Sequence, residues 1–299
     1  MGIWFASGER QAGRIMQQLQ GSVVESVRSV SNYEAALANV ATWQKAEHAA
    51  GREGGDLRSL TPAQAVAYLE QRGEVVGQKT LDQERQAIQL MQQHVTGHLA
   101  LGERLPVIKS EQQQVLESRA YTPAQISAIT ERQTDKNALA TEIAHAAGLR
   151  AHEILTLRRA DERPADARPT RDEKFAVRQG ERYTVVGKGG LCREVLIPHE
   201  LANRLEATRL EQPERVTDRG VYYQSNYAIG GGQRWSNSFS QASNVALGRS
   251  TGAHGLRHSY AQERMGELQR DGLSYRDALQ VVSQEMGHFR DSITEVYLR

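Results

Sequence analysis

The stretch that decides the reading is 254–299. It opens His254-Gly255-Leu256-Arg257-His258, runs through a helical pattern to Met286-Gly287-His288, and reaches Tyr297 nine residues later. Four side chains able to handle a phosphate stand here in a fixed order: His254, Arg257, His288 and Tyr297. Arginine offers a planar, permanently charged fork that matches phosphate oxygens. Histidine gives or takes a proton near neutral pH. Tyrosine can act as a covalent nucleophile. His254 and Arg257 are spaced i, i+3 and share a helix face. His254 and His258, at i, i+4, also resemble a two-histidine metal face, but Gly255 stands where the zinc-protease version needs Glu.

Upstream, the period changes twice. Asp135 to Ala147 is a helical pattern stopped by Gly148, and a new helix is read from Leu149 to Leu157. That places Arg150 beside a helix N-terminus, where backbone N–H groups favour an anion. Glu153, three residues on, can orient a nearby cation; the alternative is a surface arginine with an ion-pair partner. Arg158 to Gln179 reads as loop. Tyr183 to Val186 and Val195 to Ile197 read as strands around Gly187-Lys188-Gly189-Gly190, a turn signal, so Lys188 is predicted at a hairpin tip. A tip lysine can reach a substrate or stand solvated. Pro198 ends the second strand, and 199–210 reads as helix. Val221-Tyr222-Tyr223 reads as a short strand, and Trp235 to Leu247 as helix. Ser274 to Met286 reads as a helix ended by Gly287. A last short helix is expected to turn Ile293 and Val296 inward, with Tyr297 beside them.

Residues 1–110 read as all helix. Ser7 can cap a first segment through Ile15, Met16 and Leu19. A second runs from Tyr33 to Ala50. Thr61-Pro62 starts a third, and a fourth runs from Thr80 to Gly97. His94 and His98 in the fourth are spaced as a metal pair, but with no third ligand nearby they read as surface positions. Residues 111–120 read as a linker, and Tyr121-Thr122-Pro123 begins a second domain, 121–299. The fold class is therefore mainly α with a small β-hairpin or sheet, an α+β chain of two domains.

Composition sets outer bounds. The 299 residues carry a net charge of +1, so no global basic signature points to nucleic acid; local patches must carry any such role. No apolar run reaches the roughly 20 residues of a membrane helix, and the opening residues are too short and too soon polar for a signal peptide. The single Cys192 excludes an internal disulfide framework and fits a reducing cytoplasm.

Taken together, Arg150 in Gly-Leu-Arg-x-x-Glu, Lys188 in Gly-Lys-Gly-Gly, His254-x-x-Arg257-His258, Gly287-His288 and Tyr297 resemble the tyrosine recombinases, the phage-integrase superfamily. The likeness runs through 121–299 in order and spacing. It implies a helical core-binding (SAM-like) DNA-binding domain at 1–110 and a catalytic domain after it, the two clamping DNA from opposite sides. By this resemblance Tyr297 attacks the scissile phosphate and forms a 3′-phosphotyrosine. Arg150, Arg257 and His288 stabilise the phosphate, Lys188 is the general acid and His254 the base or relay. Glu153 and His258 stand behind them. No cofactor or metal is implied, since two guanidiniums neutralise the charge. The implied partners are double-stranded DNA with a specific core site, a homotetramer on two duplexes, and accessory DNA-bending or directionality proteins, with no membrane.

The resemblance also leaves gaps. The front piece has no room for the arm-binding domain of lambda-type integrases. Only Leu298 and Arg299 follow Tyr297, so contacts between protomers are expected from elsewhere, with Ile3, Trp4, Phe5, Ile15, Met16 and Leu19 as the candidate apolar patch; the alternative is that these residues pack within their own domain. Three other readings remain: a type IB topoisomerase relaxing one duplex, a DNA-binding relative that lost catalysis, and a metal hydrolase using His254, His258 and His288.

Overall fold

The computed structural model describes residues 6–52, 54–113, 117–187 and 189–299. The chain divides into two compact units, Met1–Val115 and Leu116–Arg299. The described residues are mainly helical, with two small antiparallel sheets, as the residue pattern predicts. No helix among them is long and apolar enough to cross a membrane.

The first unit is built from α1 (Gly8–Leu19), α2 (Val27–Ala49), α3 (Pro62–Gly73) and α4 (Gln78–Met91). Its helix starts follow local chemistry. Ser7 accepts from the Arg10 N–H, and Thr61 and Gln64 close a reciprocal capping box behind Pro62. α2 begins six residues before the expected Tyr33. Ser29, Ser31 and Asn32 are poor helix formers, but Val30 and Tyr33 pack on the core and carry the first turn. α4 loosens into a π turn, Gln92–Thr96, and stops at left-handed Gly97. His94 and His98 therefore do not share a helix face; His98 Nδ1 instead lies 2.9 Å from the Leu60 carbonyl. Leu99 and Leu105, beyond the last helix of this unit, are buried with its core.

The expected apolar patch is corrected here. Ile15, Met16 and Leu19 are 0%, 2% and 1% exposed and belong to the unit's own core with Leu37, Val40 and Leu57. Spacing of i, i+1 and i+4 places them on one face of α1, and α2 covers that face. Ile3, Trp4 and Phe5 lie outside the described residues.

The second unit begins with Ser118–Tyr121 laid along it: Tyr121 N–H donates to Ser259 Oγ (2.8 Å), and Arg119 Nη2 to the Thr251 carbonyl (2.6 Å). Its elements are α5 (Pro123–Thr130), α6 (Asp135–Ala146), α7 (Ala151–Ile154), β1 (Arg158–Arg159), β2 (Glu181–Val186), β3 (Cys192–Ile197), α8 (His199–Glu206), β4 (Arg209–Asp218), β5 (Val221–Tyr227), α9 (Gly232–Leu247), α10 (Gly255–Arg270), α11 (Tyr275–Glu285) and α12 (Asp291–Glu295). β1, β2 and β3 form one antiparallel sheet and β4 with β5 another. The hairpin is found where expected. Tyr183 pairs with Val195 and Val185 with Arg193, which puts Tyr183, Val185, Val195 and Ile197 on the core face.

Three expectations change. The helix read over 149–157 is a single turn, α7. Thr156 Oγ1 donates to the Glu153 carbonyl (2.8 Å) and accepts from Val186 N–H (2.9 Å), which draws the chain out of the helix into β1. The helix read to 210 ends at Glu206, and the chain enters β4, a strand exposed on both faces with Pro213 and a register shift inside it. Such a strand carries no apolar alternation to read. In the last turns Ile293 and Val296 are exposed (38% and 43%), whereas Thr294 and Tyr297 are buried (0% and 8%). The inward face is the one three residues apart that holds Tyr297 against α10.

Ile15→Ala should lower unfolding stability by about 2–5 kcal/mol, the usual loss for an aliphatic side chain deleted from a filled core. Chemical denaturation reads this as a lower midpoint; an unchanged midpoint would place Ile15 outside the core.

Candidate active site

α10 runs between two cores of the second unit. Leu256 packs into the larger one with Tyr121, Ile143 and Trp235. Tyr260, Ala261, Met265 and Leu268 pack with Leu279, Val282, Met286 and Tyr297 in the smaller one. The first turn of α10 lies at the seam, with His254 at its N-cap position. Arg257 is therefore fully buried, although nothing in its local pattern marks it as a core residue.

A buried arginine needs acceptors. Arg257 finds them in glycine-ended turns. Its Nη1 donates to the Gly148 carbonyl and its Nη2 to the Met286 carbonyl (3.2 Å). Gly148 (φ 59°) and Gly287 (φ 72°) both adopt the left-handed conformation. An added Cβ at Gly148 would stand 2.7 Å from the Tyr260 ring, and at Gly287 2.6 Å from Arg193 Cδ. Burial and the neighbouring Arg150 draw the Arg257 pKa down to about 10, with Glu153 opposing, so it remains charged at neutral pH.

Glu153 is the centre of this charge set. It is fully buried. One or other of its oxygens accepts from Arg150 N–H (2.8 Å), Arg150 Nη1 (2.7 Å) and Arg193 Nη2 (2.8 Å), and Arg257 Nη1 stands 3.9 Å away. Burial alone would raise its pKa; the Arg193, Arg257 and Arg150 guanidiniums overcome that and hold it well below the usual carboxylate range. α7 is a single turn, so beside Glu153 the positive character comes from these side chains more than from the dipole of α7.

His288 completes the pocket. Arg257 Nη2 donates to its Nε2 (2.9 Å), and its Nδ1 lies 3.1 Å from Thr294 Oγ1. A guanidinium has only donors, so Nε2 must be the acceptor and Nδ1 carries the proton toward Thr294. Burial, Arg257 and Arg150 lower the His288 pKa to about 3, and burial with Arg119 lowers that of His258 to about 4. Both rings are neutral at physiological pH.

Tyr297 lies among these groups. Its ring centroid is 4.8 Å from that of His258, 5.1 Å from His288 in a stacked arrangement, and 5.4 Å from His254. The Arg257 guanidinium carbon is 5.4 Å from the same ring. Gln262 Nε2 donates to the Tyr297 carbonyl (3.2 Å) and anchors the turn to α10. Arg150, Glu153, His254, Arg257, His258, His288 and Tyr297 are thus brought together from α7, α10, the turn after α11 and the last turn. Lys188 lies outside the described residues; its hairpin closes at Gly187 N–H donating to Leu191 O (2.7 Å). Among the described residues no three His, Cys, Asp or Glu side chains converge as metal ligands.

Sequence reasoning missed Arg193, Gln262 and Thr294. Arg193 had a signal: it is in phase with Val195 and Ile197, a charge on the buried face of β3. Thr294 had one in its three-residue spacing from Tyr297. Gln262 had none, since its partner is a backbone carbonyl.

Below about pH 6.5, the ordinary histidine value, the unfolded chain protonates His258 and His288 while the folded chain does not until about pH 4 and 3. The unfolded state then binds more protons, so stability is lost as pH falls through that window. Thermal melting between pH 7 and 5 should show this loss, and a His258→Asn, His288→Asn double variant should show a shallower one. Equal slopes would mean that these rings are not held neutral by folding.

No family model and no curated protein sequence matches the chain. Solved structures do. A XerH site-specific recombinase bound to its difH substrate before cleavage is 16% identical over 97% of this chain and 90% of that one, with a TM-score of 0.56. The Tn1549 transposon integrase with transposon right-end DNA is 13% identical over 98% and 95%, TM-score 0.56. A lambda integrase tetramer bound to a Holliday junction is 14% identical over 96% and 76%, TM-score 0.58. At such identities the likeness is one of backbone architecture, and it spans both units: this chain has the fold of the tyrosine recombinases.

Proposed function

We propose that the chain is a DNA strand transferase, a tyrosine-type site-specific recombinase that cuts and rejoins duplex DNA through a 3′-phosphotyrosine. One observation carries the reading: the Tyr297 ring stands within 5.4 Å of three neutral or neutralisable imidazoles and of a buried guanidinium. The fold likeness to proteins solved on difH DNA, a transposon end and a Holliday junction supports the same substrate class.

The chemistry follows from the residues. Tyr297 Oη attacks phosphorus, forming the phosphotyrosine bond as the bond to the 5′-oxygen breaks. Charge on the nonbridging oxygens is met by Arg150, held by Glu153, and by Arg257, held by the Gly148 and Met286 carbonyls with Glu153 nearby, before substrate arrives. One carboxylate against three guanidiniums leaves the pocket cationic, suited to a phosphate diester. A bound phosphate favours the charged form of His288, freeing Nε2 to donate to the phosphate while Arg257 turns its own donors to the same oxygens. His254, exposed at the N-terminus of α10, takes the phenolic proton. Lys188 on the hairpin gives a proton to the departing 5′-oxygen. The freed 5′-hydroxyl of a partner strand reverses the step, so bond energy is conserved. Exchange between two duplexes calls for four protomers, and the same chemistry serves integration, excision or the resolution of dimers.

Tyr297→Phe should retain DNA binding and lose covalent protein–DNA adducts on nicked duplex, seen as the absence of a shifted band after denaturing electrophoresis. Adducts that persist and map to Tyr260 or Tyr275 would remove Tyr297 from its role.

Lys188→Ala should slow cleavage by about 10²–10⁴-fold, the usual range for a lost general acid. A substrate with sulfur at the 5′-bridging position, whose thiolate leaves without a proton, should recover most of that loss. Equal impairment on both substrates would make Lys188 a phosphate ligand instead.

A further inference from the structure

Arg193 is not among the residues that the motif pattern singles out, but it is 4% exposed and bonds to two separate elements of the unit. Its Nη2 donates to Glu153 Oε2 (2.8 Å) and its Nη1 to the Glu285 carbonyl (2.6 Å). Its Cδ lies 2.6 Å from where a Cβ at Gly287 would stand. One guanidinium thus touches the carboxylate that orients Arg150 and Arg257, the end of α11, and the glycine before His288. β3, which carries it, is also the return strand of the Lys188 hairpin.

The far side of this bridge is rigid. The Glu285 carboxylate accepts from Tyr260 Oη (2.7 Å), Arg264 Nε (2.9 Å), Arg264 Nη2 (2.8 Å) and Phe175 N–H (2.8 Å). Its backbone carbonyl is therefore a fixed point from which Arg193 reaches Glu153. We propose, resting on the strand-transfer reading, that Arg193 is a positioning residue: it holds Glu153 so that Arg150 and Arg257 are aimed together at the scissile phosphate, and it ties the hairpin and the His288 turn to that aim. Arginine is required because a planar fork satisfies two acceptors at once. A lysine keeps the charge but, as a point donor on a flexible stem, cannot span both with fixed geometry.

The test uses full-length protein and a duplex selected by the wild type from a randomised pool, nicked near the cut so that the covalent adduct accumulates. Arg193→Gln should lower the single-turnover adduct rate at saturating DNA by about 100-fold and Arg193→Lys by about 10-fold, with DNA affinity within about 3-fold of wild type, since the interaction lost is made in the transition state. The discriminating readout is a second substrate in which one nonbridging oxygen of the scissile phosphate is a methyl group. With less charge to meet, the defects of Arg150→Ala and Arg257→Ala shrink, and those of both Arg193 variants should shrink in step. If Gln melts the protein by leaving Glu153 short of a partner, the Lys variant carries the same comparison. An Arg193 defect equal on both substrates, or wild-type rates in a folded variant, overturns the inference while leaving the strand-transfer reading intact. A wild-type protein that forms no adduct on the selected duplex overturns that reading, and this inference with it.

Discussion

A single buried carboxylate, Glu153, sets the terms for the second unit. It has no exposure to water and three guanidiniums around it. Charges in such a place are tolerated only when paired and hydrogen-bonded. Losing one partner of a buried set costs on the order of 3–5 kcal/mol, because the remaining charge is stranded. The geometry is therefore held tightly. The same low-dielectric setting makes the excess positive charge effective on an anion brought into the pocket.

Much of the surrounding structure follows from that constraint. Arg257 is buried, so turns must bring carbonyls to it; those of Gly148 and Met286 serve, in turns where Gly148 and Gly287 take conformations that other residues adopt at a cost. The imidazoles nearest the guanidiniums are driven neutral, since a further positive charge there is opposed by burial and by the arginines. Tyr297 then packs against rings that are flat, uncharged and able to take a proton. A second buried cluster, Tyr260, Arg264 and Glu285, anchors the end of α11 and so the His288 turn.

Local signals mark most of the helices, and the structure brings most of the candidate residues into one pocket. Thr61-Pro62 and Thr122-Pro123 cap helices with both hydrogen bonds of the capping box in place. Gly187-Lys188-Gly189-Gly190 marks a hairpin between apolar strands. The misreadings share a cause. Leu155 and Leu157 continue an apolar pattern that predicts a longer α7, but Thr156 bonds to β2 and turns the chain. β4 carries no readable pattern because both of its faces meet water. Hydrophobicity points Ile293 and Val296 inward, yet the turn that seats Tyr297 and Thr294 against α10 leaves them outside.

By itself, the order of residues determined the helical front piece and the hairpin, because caps, glycine turns and periodicity act over a few residues; it offered Arg150, Lys188, His254, Arg257, His288 and Tyr297 as candidates through a resemblance of motifs. Tertiary structure alone decided that Arg257 and Glu153 are buried, that Arg193 joins them, and that Ile15, Met16 and Leu19 close a core instead of presenting a patch. Those outcomes depend on which elements pack together across more than a hundred residues of chain, as from Glu153 to Arg257. A buried charge network carries no local period, so it becomes visible only when packing brings donors and acceptors within reach of one another.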